Sequence, residues 1–259
     1  MLSRLKSIPS HHPVIVVPTY NTGPKVLEVV QEIACTGHPL IIVADGSTDG
    51  TTGRLRAWAE NHVSVEILEH PCNRGKGNAV LTAARHARDR GFTHLLAIDA
   101  DGQHPAGEIE TFLTASRQAP AALVAGYPVF GATAPWERRF FRQWANFWTR
   151  FLGHQPDLVD SMFGMRVYPV DPLLGVMESS RLGRHYDFEC VAAIKLGWQR
   201  VPIANLPVAV AYFNAGEGGV SHYHYLRDNV RLGLVYLALM PGALAHADVF
   251  QPRRESAPI

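Results

Sequence analysis

Short apolar runs alternate with stretches of helical periodicity along the first half of the chain. Most of the runs are continuous and rich in Val, Ile and Leu, which is typical of strands buried on both faces, whereas the run at 63–68 alternates apolar and polar residues. They lie at residues 14–17, 40–43, 63–68, 95–98 and 121–125. Because helical stretches separate them, the pattern predicts βαβ units, and so an α/β fold with a mostly parallel central sheet flanked by helices.

The second half of the chain has a less regular pattern. It predicts a helix at 136–152, a turn into a strand at 160–168, a helix from about 186, a bent strand or strand pair at 202–212 and a final helix at 223–240. The first of these helices has an aromatic face beside four arginines, Arg138, Arg139, Arg142 and Arg150. An aromatic face usually belongs to the core, but beside arginines it also suits an anionic amphiphile or a membrane surface.

Composition narrows the function classes. The chain has 259 residues, 47% hydrophobic and 18% charged, which is ordinary for a globular protein. A formal net charge of +1 argues against nucleic acid as a partner, so any anion recognition must be local. Three scattered cysteines and the lack of a signal-peptide or membrane-spanning pattern predict a cytoplasmic protein, which leaves room for peripheral contact with the inner face of the cytoplasmic membrane.

Polar residues with chemical potential follow the predicted strands directly. Asp99 and Asp101 come after the strand at 95–98, and Asp45 follows the strand at 40–43. The carboxyl ends of parallel strands share one sheet edge, where α/β folds bind ligands, and paired carboxylates suit Mg²⁺ or Mn²⁺ bridging to phosphates. The basic loop with Arg74 and Lys76 opens a helix, which makes it either an anion site or a solvated turn. Neither a G-x-G-x-x-G motif after the first strand nor a P-loop motif occurs, which disfavours dinucleotide oxidoreductases and P-loop NTPases.

Five segments together resemble the family 2 glycosyltransferases, in particular the branch of dolichol-phosphate mannose synthase and bacterial polyprenyl-phosphate glycosyltransferases. The segments are residues 17–21, 45–51, 73–77, 99–105 and 160–166. The resemblance implies a single GT-A domain at residues 13–215, preceded by an extension at 1–12. A C-terminal loop and amphipathic helix at 216–248, packing on the domain or a membrane, and a disordered tail at 249–259 would follow.

The resemblance also implies a UDP- or GDP-hexose as donor and Mg²⁺ or Mn²⁺ as cofactor. Its motifs assign Asp99, Asp101 and Gln103 to the metal. Beside these, the donor site would contain Pro18, Tyr20, Asp45, Arg74, Lys76 and Ala100. Two family acids are replaced, by Ala44 and Thr22, and this leaves the base of the nucleotide open. His104, next to the metal loop, and His222, after a glycine-rich loop at 216–219, are two further candidates.

The acceptor divides the functional hypotheses. A lipid phosphate is ionised at neutral pH and needs cations, for which Arg138, Arg139, Arg150 and Arg166 are candidates. A hydroxyl of a glycolipid, pigment or polysaccharide needs a base, for which Asp187 and Glu189 are candidates, although acids also favour a helix start. The leading hypothesis is hexose transfer to a lipid-linked acceptor, most simply a polyprenyl phosphate. A non-catalytic module that binds nucleotide sugars is the alternative of another class.

Overall fold

The computed structural model describes residues 11–129, 136–209 and 225–247. Its strands are β1 (Pro13–Thr19), β2 (Leu40–Asp45), β3 (Val65–His70), β4 (His94–Ala97), β5 (Leu123–Val129), β6 (Arg166–Pro169) and β7 (Ile203–Ala209). Its α-helices are α1 (Lys25–Ala34), α2 (Thr51–Ala59), α3 (Lys76–Asp89), α4 (Ile109–Gln118), α5 (Trp136–Gly153), α6 (Val170–Met177), α7 (Phe188–Trp198) and α8 (Tyr225–Ala245). A short 3₁₀ turn at Ala106–Glu108 precedes α4. The expected extension falls partly, and the glycine-rich loop, His222 and the C-terminal tail fall wholly, outside the described residues.

The strands form one sheet in the order β3-β2-β1-β4-β6-β5-β7. Strands β3, β2, β1 and β4 are parallel, as are β5 and β7, while β6 is antiparallel to both of its neighbours. The predicted mostly parallel sheet is thus confirmed, with an antiparallel insertion that the sequence did not predict. Because β1, β2 and β4 run in the same direction, the residues that follow them meet at one edge of the sheet.

Both faces of the central strands β1, β2 and β4 are buried, which explains why their apolar runs lack alternation. Val14 and Val16 face the helices α3, α6, α7 and α8, whereas Ile15 and Val17 face α1, α2 and α4. Each such side chain contributes about 1.5–3 kcal/mol by leaving water. The buried side chains of α8 are part of the hydrophobic core on the Val14 and Val16 side of the sheet.

Helix α8 continues through Pro241 to Ala245, five residues beyond its predicted end. A proline inside a helix removes one backbone hydrogen bond. Here Leu239 and Ala243, on either side of the proline, are both buried in the core, and that burial offsets the loss. Tyr236 anchors the helix by donating a hydrogen bond to the Ala145 carbonyl of α5 at 3.0 Å. Within the described residues, no helix combines the length and apolar character needed to cross a bilayer.

Two histidines pack together at the amino end of the sheet. The rings of His11 and His94 lie 4.4 Å apart between centroids, and His11 Nε2 is 3.0 Å from Ser116 Oγ. Burial, reinforced by repulsion from His94 and Arg117, lowers the pKa of His11 to about 4. Burial lowers the pKa of His94 as well. The folded protein therefore holds both rings in their neutral form more strongly than the unfolded chain does.

This arrangement predicts a stability loss in mild acid. The unfolded chain protonates His11 near its ordinary pKa of about 6.5, so between that pH and about 4 it binds more protons than the folded protein. We expect the melting temperature to fall as the pH drops through this window, and to fall less steeply in His11→Gln. The exposed neighbour His12 provides the control, because His12→Gln should leave the slope unchanged. An identical slope in His11→Gln would show that this pair does not sense pH.

Candidate active site

A cavity of about 660 Å³ lies where the carboxyl ends of β1, β2 and β4 meet, enclosed by residues near the starts of α3, α7 and α8. That volume is in the range of small-molecule sites. Most of the residues predicted from the sequence line it: Pro18, Tyr20, Asp45, Lys76, Asp99, Ala100, Asp101, Asp187 and Glu189. The single edge expected for the strand-end motifs is therefore present in the structure.

An ion cluster occupies the centre of the cavity wall. Lys76 Nζ lies 2.5 Å from Asp99 Oδ1 and also pairs with Glu189 Oε1. Burial opposes the charge on Lys76, but the two carboxylates outweigh it and raise the pKa of the ammonium. Burial likewise opposes ionisation of Asp99, yet Lys76 and His104 hold the pKa of that carboxyl below its usual range. Lys76 and Asp99 are therefore charged at neutral pH, and the cluster joins the starts of α3 and α7 to the end of β4.

Asp101 occupies a different environment two residues later. Its pKa is raised, first by burial and then by the negative charge of Asp99. One of its oxygens accepts a hydrogen bond from the Gln103 backbone N–H at 3.0 Å, across a turn in which Gly102 has a φ of 75°. The Gln103 side chain is not among the groups lining the cavity. The negative charge of Asp99 that raises the pKa of Asp101 also makes this part of the wall well suited to receive a cation.

His104 supports Asp99 from behind the cavity. Its Nε2 lies 3.5 Å from Asp99 Oδ2, and its ring packs edge-on against Phe163 at 4.6 Å between centroids. Gly164 lies so close that a Cβ there would come within 2.1 Å of the same carboxylate oxygen. The segment before β6 therefore fixes the position of Asp99.

Asp45 organises the loop that carries Lys76. Its buried carboxylate accepts hydrogen bonds from the backbone N–H groups of Arg74 and Gly75 at 2.9 and 2.8 Å. A third contact, at 2.6 Å, joins it to Nδ1 of His70, whose Nε2 lies 2.9 Å from Thr82 Oγ1. Asp45 thus holds the backbone at the start of α3 in place. Asp45 also lines the cavity. His70 was not predicted, although it ends β3 and the same strand-end reasoning could have found it.

The start of α3 is covered by the loop that precedes α7. The Asn78 backbone N–H donates to the Arg184 carbonyl at 3.2 Å, and a Cβ at Gly77 would come within 2.1 Å of the Gly183 carbonyl oxygen. The Arg74 side chain is exposed and is not among the groups lining the cavity. Of the two predicted cations of this loop, Lys76 is the one that reaches the cavity.

The two candidate bases differ in their surroundings. Asp187 accepts backbone hydrogen bonds from Gly183 at 2.8 Å and His185 at 3.0 Å, so its carboxylate holds the loop before α7 in place. Glu189 has its carboxylate paired with Lys76 inside the cavity. The carboxylate of Asp187 is thus engaged by backbone N–H groups, and that of Glu189 by the Lys76 ammonium.

The candidate cations from the second half of the chain lie mostly elsewhere. Arg166 is fully buried and donates to the carbonyls of Phe163, Glu189 and Asp160 at 2.9–3.1 Å, so it ties the interior together away from the cavity. Arg150 donates to the carbonyls at 158 and 159. Arg139 is exposed on α5, and the Arg138 side chain is outside what the structure describes.

Helix α8 supplies cations that the sequence analysis missed. Arg227 and Arg231 lie on one face, one helical turn apart, and both line the cavity together with Asp228. Arg227 Nε is 3.3 Å from Asp228 Oδ1. Their i, i+4 spacing was visible in the sequence, but the position of the helix over the sheet edge was not.

A second, apolar depression of about 320 Å³ runs between α5 and α8. It is lined by Trp144, Trp148, Val230, Gly233, Leu234, Tyr236, Leu237 and Met240. Phe140, Phe147 and Phe151 on α5 are more than half exposed. We call the residues that line the depression, together with these three phenylalanines, the α5–α8 face. Some aromatic side chains of α5 therefore pack against the core and others are exposed at the surface. Both possibilities were considered in the sequence analysis.

Comparison with known proteins gives a consistent picture. The model of glycosyl transferase family 2 matches residues 14–174. Polyprenol monophosphomannose synthase from Mycolicibacterium smegmatis is 27% identical over 223 residues, covering 82% of this chain and 81% of that protein. Undecaprenyl-phosphate mannosyltransferase from Micrococcus luteus is 25% identical over 210 residues, covering 80% and 86%.

Among solved structures, glucosyl-3-phosphoglycerate synthase from Mycobacterium tuberculosis superposes with a TM-score of 0.67. It is 15% identical, and the match covers 91% of this chain and 81% of that one. That enzyme has been solved with Mn²⁺ and UDP. At this identity the likeness concerns the fold, and it confirms the predicted GT-A architecture.

Because α3 packs so closely against the loop before α7, adding one methyl group at Gly77 should lower the stability of the protein markedly. Gly77→Ala would force backbone atoms apart and should destabilise the protein by about 1–3 kcal/mol, as overpacking commonly does. Gly53→Ala in α2 is the matched control: its Cβ meets no atom within 4 Å, and alanine should stabilise the helix by up to about 1 kcal/mol. Urea unfolding measures both, and equal stabilities would refute the close contact.

Proposed function

Because the chain belongs to glycosyl transferase family 2, we propose that it transfers a hexose from a UDP- or GDP-sugar to a lipid-linked acceptor, most simply a polyprenyl phosphate. The observation that carries the donor half of this proposal is the ion cluster at the end of β4. Asp99 and Asp101 line the cavity together, with the Lys76 ammonium beside them. Breaking a sugar–phosphate bond leaves a nucleoside diphosphate, whose added charge requires cations nearby.

We assign Mg²⁺ or Mn²⁺ to Asp99 and Asp101. Two carboxylates on one cavity wall fit this role, because Mg²⁺ is usually held by one or two carboxylates together with substrate phosphates. Among the described residues, no group of three or more acidic, histidine or cysteine side chains has the geometry to hold a metal without such help. When bound, the ion would neutralise charge on the departing diphosphate. Lys76 contributes a further positive charge at the same wall.

The acceptor half of the proposal depends on α8. Arg227 and Arg231 place two guanidinium groups at the cavity, and guanidinium binds phosphate oxygens in a fork geometry. A phosphate acceptor is already ionised and needs no base, which agrees with the engagement of Asp187 by backbone N–H groups and of Glu189 by Lys76. The names of the two curated relatives specify polyprenol and undecaprenyl phosphate chemistry for those proteins.

The α5–α8 face supports a lipid-linked acceptor. Leu232 and Arg231 of α8 line the cavity, while Leu234 and Leu237 of the same helix line the apolar depression. A lipid that bridges the two would place its phosphate near the arginines and its hydrocarbon along the exposed aromatic side of α5. We propose that this face rests on the membrane surface during transfer, as amphipathic helices do.

Transfer to a hydroxyl is the second candidate, and the cavity-facing carboxylate of Glu189 is the observation in its favour. The contact of Glu189 with Lys76 counts against this candidate, because the ammonium already occupies a carboxylate oxygen that would have to receive the proton. The hypothesis of a non-catalytic binding module disagrees with the family match and with the enzymatic relatives.

The donor assignment predicts that Asp101→Asn abolishes transfer while the fold remains intact, since the amide keeps the shape of the side chain but not its charge. Labelled UDP- and GDP-hexoses, Mg²⁺ or Mn²⁺ and polyprenyl phosphate in membrane lipid supply the assay, followed by solvent extraction. Asp89→Asn, an exposed acid at the far end of α3, should retain full activity. Activity of Asp101→Asn equal to that of the unchanged protein would remove the metal assignment. Acid-stable lipid label in place of acid-labile label would show a hydroxyl acceptor.

The acceptor assignment predicts a split between the two substrates. Arg231→Gln should raise KM for polyprenyl phosphate by roughly tenfold or more, the usual scale for one charge-assisted contact, and change KM for the donor little. Arg54→Gln, which removes an exposed arginine from α2, should change neither constant. Steady-state kinetics on both substrates decides the matter. If Arg231→Gln affected the donor alone, the phosphate acceptor would have to be placed elsewhere.

A further inference from the structure

Lys76 and the proposed metal ion need the same carboxylate. The Lys76 ammonium lies 2.5 Å from Asp99 Oδ1, which is a direct charge-assisted contact. The other oxygen of Asp99 faces His104 Nε2 at 3.5 Å. A divalent ion that binds Asp99 through Oδ1 must therefore compete with the ammonium that is already bound to that oxygen.

The backbone of Lys76 is held firmly, so only its side chain can respond. Asp45 binds the N–H groups of the two preceding residues, and Asn78 is tied to the Arg184 carbonyl. The lysine side chain carries its compact ammonium on a flexible four-carbon stem. The ammonium can therefore turn towards a new partner without movement of the helix. Glu189 is the second partner that can retain the ammonium when Asp99 is taken.

We propose that Lys76 is a tethered cation that competes with the divalent ion for Asp99 and passes to the donor diphosphate when the ion binds. Glu189 is the positioning residue that keeps the ammonium at the cavity wall during this exchange. The inference rests on the metal-dependent donor binding proposed above and adds a role for this chain's own lysine. The exchange moves one ionic contact and makes or breaks no covalent bond.

The exchange couples the two ligands. The metal alone must displace Lys76 from Asp99 without offering the ammonium a new oxygen, so it binds weakly. A nucleoside diphosphate supplies phosphate oxygens for both the metal and the ammonium, so each ligand strengthens the binding of the other. The protein would then hold little metal until the donor arrives.

The test measures Mn²⁺ binding by calorimetry and electron paramagnetic resonance, with and without UDP or GDP. In Lys76→Met, Mn²⁺ alone should bind roughly tenfold or more tightly, because a direct competing charge has been removed. The diphosphate at saturating Mn²⁺ should bind roughly tenfold more weakly, since one of its cations is lost. The coupling between the two ligands should decrease accordingly.

Arg74→Met is the matched control for Mn²⁺ alone. It removes the same charge from the same loop, but its exposed side chain is not part of the cavity wall. Its Mn²⁺ affinity without nucleotide should stay within about twofold of the unchanged protein, since exposed charges are well screened. If Lys76→Met does not fold, Lys76→Gln replaces it, because the amide can still donate to the two carboxylates without adding charge.

Two results would overturn the inference while leaving the proposed function standing. One is Mn²⁺ binding in Lys76→Met that is no tighter than in the unchanged protein. The other is equal tightening in Arg74→Met, which would reduce the effect to the general field of the loop. Failure of the proposed function looks different: the unchanged protein would bind neither Mn²⁺ nor either diphosphate, and the exchange would fail with it.

Discussion

The close approach of carboxylates at one sheet edge is the constraint on which this structure depends. Parallel strands bring their carboxyl ends together, and here three acids gather around a single wall of the cavity: Asp99, Asp101 and, from α7, Glu189. Uncompensated charges of one sign would repel each other in such a place. The Lys76 ammonium balances part of this charge, and much of the surrounding architecture fixes where that ammonium can go.

The supporting groups act through the backbone. A chain of contacts runs from Thr82 through His70 to Asp45 and from there to the N–H groups at the start of α3. On the other side, the loop before α7 closes against the glycines of the same helix. The cavity wall at the end of β4, which we propose to bind the donor, is therefore built from buried, hydrogen-bonded parts. The side formed by α8, which we propose to bind the acceptor, is different, since Arg227 and Arg231 are exposed.

The sequence was most informative for strands that are buried on both faces. Strands β1, β2 and β4 were placed to within a few residues because both of their faces are apolar, and Asp99 and Asp101 followed from the end of β4. A turn into a strand was predicted at 160–168, and β6 begins there at Arg166, but its antiparallel direction was not predicted. The short helix α6, which contains Pro172 and Gly175, has too little periodicity to be predicted. Arg166 was chosen for its charge, and only the structure shows three carbonyls around it. Arg227 and Arg231 were missed because packing between distant segments, not periodicity, brings α8 to the cavity.

The glycines at the start of α3 limit how this protein can be re-engineered. At positions 75 and 77 any other residue would collide with the loop at 183–185, so saturation libraries there would yield mostly misfolded variants. The outer turns of α8 carry no such constraint at Val230 and Leu234, which are more than half exposed. Directed evolution of the substrate range would therefore find its tolerant positions on α8, while the wall at the start of α3 would accept few substitutions.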